Sequence, residues 1–164
     1  MDVYLLRHGK AEAAGHGQDD AGRRLTRKGR DESAAAGTWM AAQELRFDLI
    51  AASPFARAQE TAGIIAGCLG QTDRLVTWNL LAPEGMPESV CRQIGKHPES
   101  RALLLVGHEP LLSALISRII SGHENAAIAM SKGALAKIRE FSLLRSPAGE
   151  LHWLVTAAQM AKKR

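Results

Sequence analysis

Two histidines and two arginines stand where short apolar runs stop. Leu5-Leu6 passes into Arg7-His8-Gly9, Ala51-Ala52 into Ser53-Pro54 with Arg57 just beyond, and Leu105-Val106 into Gly107-His108-Glu109. Arginine offers a planar fork of donors that matches phosphate oxygens. A neutral imidazole is a nucleophile able to form a covalent intermediate, and nearby positive charge holds it unprotonated near neutral pH. A second imidazole can donate a hydrogen bond to the equatorial oxygens of a group in transfer. Phosphoryl transfer asks for little beyond positioning and charge stabilisation, so the set needs no metal or other cofactor if the arginines supply the charge. A lone histidine at a strand end is usually structural; the company of Arg7 and Gly9 favours a functional His8.

These residues work together only if the chain brings them together, and the pattern predicts that it does. Val3–Leu6 reads as a buried first strand, followed by a Gly- and Asp-rich loop from Glu12 to Arg24. Thr26 caps a helix running to about Leu45, with Ala34, Ala35, Trp39 and Ala42 facing inward. Phe47–Ala52 is the second strand. Ser53 at the N-cap and Pro54 at the first helical position start the next helix, whose apolar stripe is Phe55, Ala58, Ala62, Ile65 and Leu69. A third strand is expected over Leu75–Trp78, a loop over Leu81–Pro87, a helix over Glu88–Lys96 and a central strand over Ala102–Val106. Pro110–Ser121 reads as a helix. Leu135–Phe141 and Leu151–Thr156 are the last strands, joined by a turn around Pro147 and Gly149 that implies antiparallel pairing. Alternating strands and helices point to an α/β fold with a mixed sheet, parallel in the middle. In such sheets ligands bind beyond the carboxyl ends of the strands, where His8, Arg57 and His108 would meet.

The motifs also resemble a family. Leu6-Arg7-His8-Gly9 is similar to the signature of the histidine phosphatase superfamily, which includes the cofactor-dependent phosphoglycerate mutases. Leu25-Thr26 with Gly29, the run Ala52-Ser53-Pro54-Phe55-Ala56-Arg57-Ala58-Gln59-Glu60-Thr61, and Val106-Gly107-His108-Glu109-Pro110 follow in the family's order and span most of the chain. The resemblance implies a three-layer α/β/α, phosphoglycerate-mutase-like fold with a mostly parallel six-stranded sheet and one antiparallel strand. It makes His8 the phosphorylated nucleophile, and Arg7, Arg57 and His108 the phosphate pocket. The compact length, Arg24-Leu25-Thr26…Gly29 and the closing Leu151…Leu154 strand resemble the SixA-type phosphohistidine phosphatases. That branch implies one domain over residues 1–164 without a cap insertion, and a phosphohistidine on another protein as substrate. The alternatives are a broad or small-molecule phosphomonoesterase, a mutase, and a non-catalytic phosphoprotein-binding module. Larger relatives carry an acid that protonates an alcohol leaving group; Glu84, in Ala82-Pro83-Glu84-Gly85, is the candidate, and an exposed loop glutamate is the competing reading. Glu109 could also be argued as acid, or as a residue matched to a helix dipole.

Composition narrows the partners. With 164 residues, 46% hydrophobic and 23% charged, the chain is an ordinary globular one. A net charge of +4 could suggest nucleic acid, but the basic residues are dispersed apart from Lys162-Lys163-Arg164, and aromatic residues for base stacking are few. No apolar run is long enough to span a membrane. Cys68 and Cys91 fit no disulfide or metal spacing, Cys68 reads as a buried thiol, and the remaining histidines show no ligand spacing. A phosphorylated protein or small molecule is the expected partner, without nucleic acid or membrane, and the cytoplasm the expected location.

Overall fold

Side chains alternate along each strand, and that alternation divides the core in two. Val3, Leu5, Ala51, Leu103 and Leu105 point to one side of the sheet; Tyr4, Leu6, Ile50, Ala52, Leu104 and Val106 point to the other. Strands that are apolar at successive positions must be covered on both faces. The computed structural model, which describes residues 1–17 and 19–162, shows that arrangement. Strands β1 (Asp2–Arg7), β2 (Leu49–Ala52), β3 (Leu75–Thr77), β4 (Ala102–Gly107), β5 (Leu135–Leu143) and β6 (Pro147–Val155) form one sheet in the order β3-β2-β4-β1-β5-β6. The first four run parallel. β5 is antiparallel to both of its neighbours, which makes it the expected antiparallel strand.

Helices α1 (Arg27–Ala42), α2 (Ala56–Leu69) and the short α5 (Ala157–Met160) cover the face carrying Leu6 and Val106; α3 (Pro87–Ile94) and α4 (Leu111–Ser121) cover the face carrying Leu5 and Leu105. Burying side chains of this size contributes about 1.5–3 kcal/mol each before conformational entropy is charged against it. The helix layers change sides between β2 and β4, and the strand order reverses beside β1. A crevice therefore opens at the carboxyl ends of β1, β2 and β4. Register pins the three ends level, with Arg7 opposite Gly107 and Ala52 opposite Val106.

The Leu25-Thr26…Gly29 segment has a local reason. The Thr26 hydroxyl accepts from the Gly29 N–H at 3.0 Å, and the Thr26 N–H donates to the Lys10 carbonyl at 2.9 Å. A Cβ at Gly29 would stand 2.1 Å from that carbonyl, so only glycine lets α1 start against the chain that follows His8.

Four expectations change. The fully buried side of α1 is Gly29, Ser33, Ala36, Gly37 and Met40; of the expected positions, Trp39 packs partly buried against the core, Ala34 and Ala35 are partly buried and Ala42 is exposed. Alanine is nearly indifferent to burial, and the close approach of Gly37 to Cys68 of α2 sets the helix's rotation instead. Cys68 itself is exposed, while Cys91 is buried. Helix α2 begins at Ala56 with Phe55 at its N-cap, so Ser53 caps nothing there. Pro147 and Gly149 lie inside β6, with the turn just before them. Helix α5, opened by a capping box between Thr156 and Gln159, was not foreseen. Of the basic cluster Lys162-Lys163-Arg164, the last two residues lie outside the described residues.

Candidate active site

His8, Ser53 and His108 are the residues immediately beyond β1, β2 and β4. The ladders extend through them: the His8 N–H donates to the Gly107 carbonyl at 3.1 Å, and the Ser53 N–H to the Val106 carbonyl at 2.9 Å. Arg57 comes from the first turn of α2. All four of these side chains are buried. The rings of His8 and His108 have centroids 4.9 Å apart. Arg7, the last residue of β1, is half-buried and donates from Nη1 to the Met130 carbonyl at 2.8 Å. The four residues singled out from sequence therefore converge.

The hydrogen bonds assign proton positions. His8 Nδ1 lies 2.7 Å from the Gly9 carbonyl, an acceptor only, so Nδ1 carries the proton. That leaves a lone pair on Nε2, which faces the Arg57 Nε–H at 3.3 Å. The Gly9 N–H donates to the Thr61 hydroxyl at 3.1 Å, and that hydroxyl donates to the Arg57 carbonyl at 2.7 Å, so β1's end and α2 are tied together beneath the nucleophile. His108 Nε2 lies 2.7 Å from the Ser53 hydroxyl. That oxygen also accepts from the Phe55 N–H at 3.2 Å, and among the described residues His108 Nε2 is the one acceptor in reach of its proton. His108 then carries its proton on Nδ1.

Nδ1 of His108 and Nε of Arg7 are buried and have no hydrogen-bond partner among the described residues. Buried donors without partners are costly. Two of them beside the unprotonated Nε2 of His8 and the Arg57 guanidinium form a cradle for an anion. Electrostatics keeps both rings uncharged. Burial is the main cause that pushes His8 down from 6.5 to about 4, with Arg57, Arg7 and Lys132 adding to it against the bond to Gly9. Burial, then His8 and Arg57, push His108 down to about 3. Both rings are neutral at pH 7, one as a nucleophile and the other as a donor.

Glu84 is exposed in the loop after β3 and makes no hydrogen bond to these groups among the described residues. Glu109 accepts from the N–H and hydroxyl of Ser113, at 3.0 and 2.6 Å, and so serves the first turn of α4 rather than the crevice. Three participants were missed from sequence. Ser53 was assigned to a helix cap, although its place at a strand's carboxyl end was a usable signal. Thr61 closed the motif run that begins at Ala52 but was given no role of its own. Asp20, in the loop after β1, accepts from Arg57 Nη2 at 3.0 Å through its carboxylate and from Arg57 Nη1 at 2.7 Å through its backbone carbonyl. No motif flags it.

A family model for the histidine phosphatase superfamily, branch 1, matches residues 3–94. The chain belongs to that superfamily. It is 26% identical over 162 residues to the phosphohistidine phosphatase SixA of Escherichia coli strain K12, covering 98% of this chain and 96% of that protein. A solved structure of the protein histidine phosphatase SixA complexed with tungstate superimposes with a TM-score of 0.86 at 25% identity, over 98% of this chain and 99% of that one. The fold is shared more widely: a mycobacterial glucosyl-3-phosphoglycerate phosphatase matches with a TM-score of 0.71 at 18% identity, over 94% of this chain and 99% of that one.

Proposed function

We propose that the chain is a phosphohistidine phosphatase: His8 Nε2 takes the phosphoryl group from a phosphohistidine on another protein, and water then releases it. The observation that carries the reading is the pairing of an unprotonated Nε2 on His8, held by the Arg57 Nε–H, with unspent buried donors on Arg7 and His108. In the first step the Nε2 lone pair forms a bond to phosphorus as the bond to the leaving group breaks. Arg7, Arg57 and His108 Nδ1–H take up the charge on the equatorial oxygens. In the second step water attacks phosphorus, inorganic phosphate leaves and His8 is regenerated. Fixed positive charge takes the place a metal ion would have, so catalysis needs no added metal.

The similarity to SixA proteins over nearly the whole of both chains supports a protein-borne phosphohistidine as substrate. So does the chemistry of the leaving group. A phosphoramidate leaves well once its imidazole is protonated, whereas an alcohol needs a neutral acid beside it, and Glu84 is exposed. The same reading takes residues 1–164 as one catalytic domain without a cap, open to a protein surface. Two free cysteines, and no helix among the described residues long and apolar enough to cross a membrane, fit a protein of the cytoplasm. A general phosphomonoesterase and a phosphate-binding module without turnover are the competitors. Hydrolysis of a phosphohistidine-bearing protein and of p-nitrophenyl phosphate, by wild type and His8→Ala in chelator, separates them. The expected result is preferred turnover of phosphohistidine that His8→Ala abolishes. Equal or better turnover of the ester contradicts the substrate assignment, and turnover of neither contradicts catalysis.

A further inference from the structure

A carboxylate at the mouth of a phosphate pocket is an electrostatic anomaly. Arg57 lies beneath, its side chain 6% exposed, and Asp20 lies above it, 52% exposed. The Asp20 side chain is held from two directions, by Arg57 Nη2 at 3.0 Å and by Arg23 Nη1 at 2.7 Å. The 3-10 turn Asp20–Gly22 presents it, and neighbouring Asp19 is occupied in capping that turn through the Ala21 N–H. Arg57 spans the gap: its Nε meets His8 Nε2, and its Nη1 and Nη2 meet Asp20. Asp20 thus stands one guanidinium width from the nucleophile, with about half of its side chain exposed to solvent. A phosphate dianion held at His8 and Arg57 would lie close to this negative charge, which disfavours its binding unless the group bearing the phosphate is itself positive.

We propose that Asp20 is the specificity-determining residue of the site, accepting a hydrogen bond from the protonated imidazole ring of a phosphohistidine as that ring leaves. The proposal rests on the phosphohistidine reading above. The balance of the step requires such a partner. As His8 Nε2 bonds to phosphorus, the P–N bond breaks and its electron pair returns to the ring nitrogen that carried the phosphoryl group. With a proton on the other ring nitrogen, the ring leaves as neutral imidazole; without it, the ring must leave as an imidazolate. A carboxylate on that second N–H favours the protonated form, as carboxylates do for imidazolium elsewhere. The two arginines that hold Asp20 ionised also make it useless as a proton donor to an alkoxide. One residue therefore favours N-linked phosphate and gives no help to alkyl esters.

The competing role is structural, in which Asp20 merely holds Arg57 in place. Removing that role would slow every substrate alike. The test compares kcat/KM for a histidine peptide phosphorylated with phosphoramidate against kcat/KM for p-nitrophenyl phosphate, whose phenolate leaves without a proton. Both are measured for wild type, Asp20→Asn and Asp20→Glu, with thermal midpoints as a check on folding. In Asp20→Asn the ratio of peptide to ester should fall about tenfold or more, the scale of one charged hydrogen bond. Asp20→Glu, which keeps the charge, should recover most of the ratio. A ratio within about twofold of wild type in Asp20→Asn overturns the proposal, whether the two rates fall together or stay as they are. If wild type hydrolyses the ester but never the peptide, the phosphohistidine reading fails and the role of Asp20 falls with it. If wild type prefers the peptide and Asp20→Asn prefers it equally, only the role of Asp20 falls.

Discussion

Two loops leave the carboxyl ends of strands near the crevice, and each carries a carboxylate. The loop after β1 folds back through its 3-10 turn and lays Asp20 on Arg57 and Arg23. The loop after β3 passes close to Gly107, just before His108, but leaves Glu84 exposed. Sequence order favoured Glu84, because acids in the larger relatives precede the second histidine motif. Geometry favours Asp20, because two guanidiniums reach it. The two differ in what they can do as well as in where they sit. The arginines hold Asp20 in its charged form, with the bond from Arg23 the larger influence and that from Arg57 next. Asp20 is therefore biased toward the charged form, which accepts hydrogen bonds, and away from the role of an acid. The comparison teaches that a carboxylate beside an oxyanion pocket is defined by its cations more than by its position in a motif.

The largest effect expected from perturbing this contrast is at the shared cation. Arg57→Lys keeps a charge but loses the fork that meets His8 and Asp20 together, and kcat/KM should fall about 10²–10³-fold. A fall of less than tenfold would mean that a point charge suffices, and would separate Asp20 from the chemistry. Next comes the protonation state of the crevice. His8 and His108 have values lowered from 6.5, to about 4 and about 3. The unfolded chain therefore binds more protons than the folded one below pH 6.5. Stability should be full above that pH and fall as pH drops through the window toward 4. The loss between pH 7 and pH 4.5 should be at least about 2 kcal/mol by urea denaturation, and smaller in His108→Gln. A flat profile over that window would mean that the rings titrate as if exposed.

Ser53→Ala is a smaller perturbation. It removes the hydroxyl that fixes the His108 tautomer and should lower kcat/KM by about tenfold while leaving KM nearly unchanged, because the donor acts on charge that grows in the transition state. An effect on KM alone would assign Ser53 to ground-state binding. The smallest effect belongs to the other loop. Glu84→Gln should leave phosphohistidine turnover within about twofold of wild type, and a loss confined to alkyl phosphate esters would instead make Glu84 an acid for those substrates.

The layout of the site was legible because its chemistry lies at places that sequence marks. His8 and His108 directly follow apolar runs, and Arg57 sits in the first turn of a helix with a clear stripe. Parallel register then does the rest, bringing the ends of β1, β2 and β4 level. Asp20 was not legible, because its partner is 37 positions away and the intervening contact is made by an irregular turn without periodicity. Ser53 was read as a cap because Ser-Pro is a strong helix start. The chain instead bends through Pro54 and Phe55 before the helix starts, and the Ser53 hydroxyl lies against His108. The face of α1 was misjudged because an alanine-rich helix carries little information about its own orientation, and Cys68 was misjudged with it.

The central claim is that His8 Nε2 carries the phosphoryl group between two steps. Rapid acid-free quenching during turnover of a phosphohistidine peptide, followed by mass spectrometry of the intact chain and its fragments, tests it directly. The expected result is one phosphoryl group on His8 in wild type and none in His8→Ala, with more of it trapped when water's attack is slowed at low temperature. Turnover at full rate with His8 never labelled, or label appearing on His108 instead, would contradict the assignment.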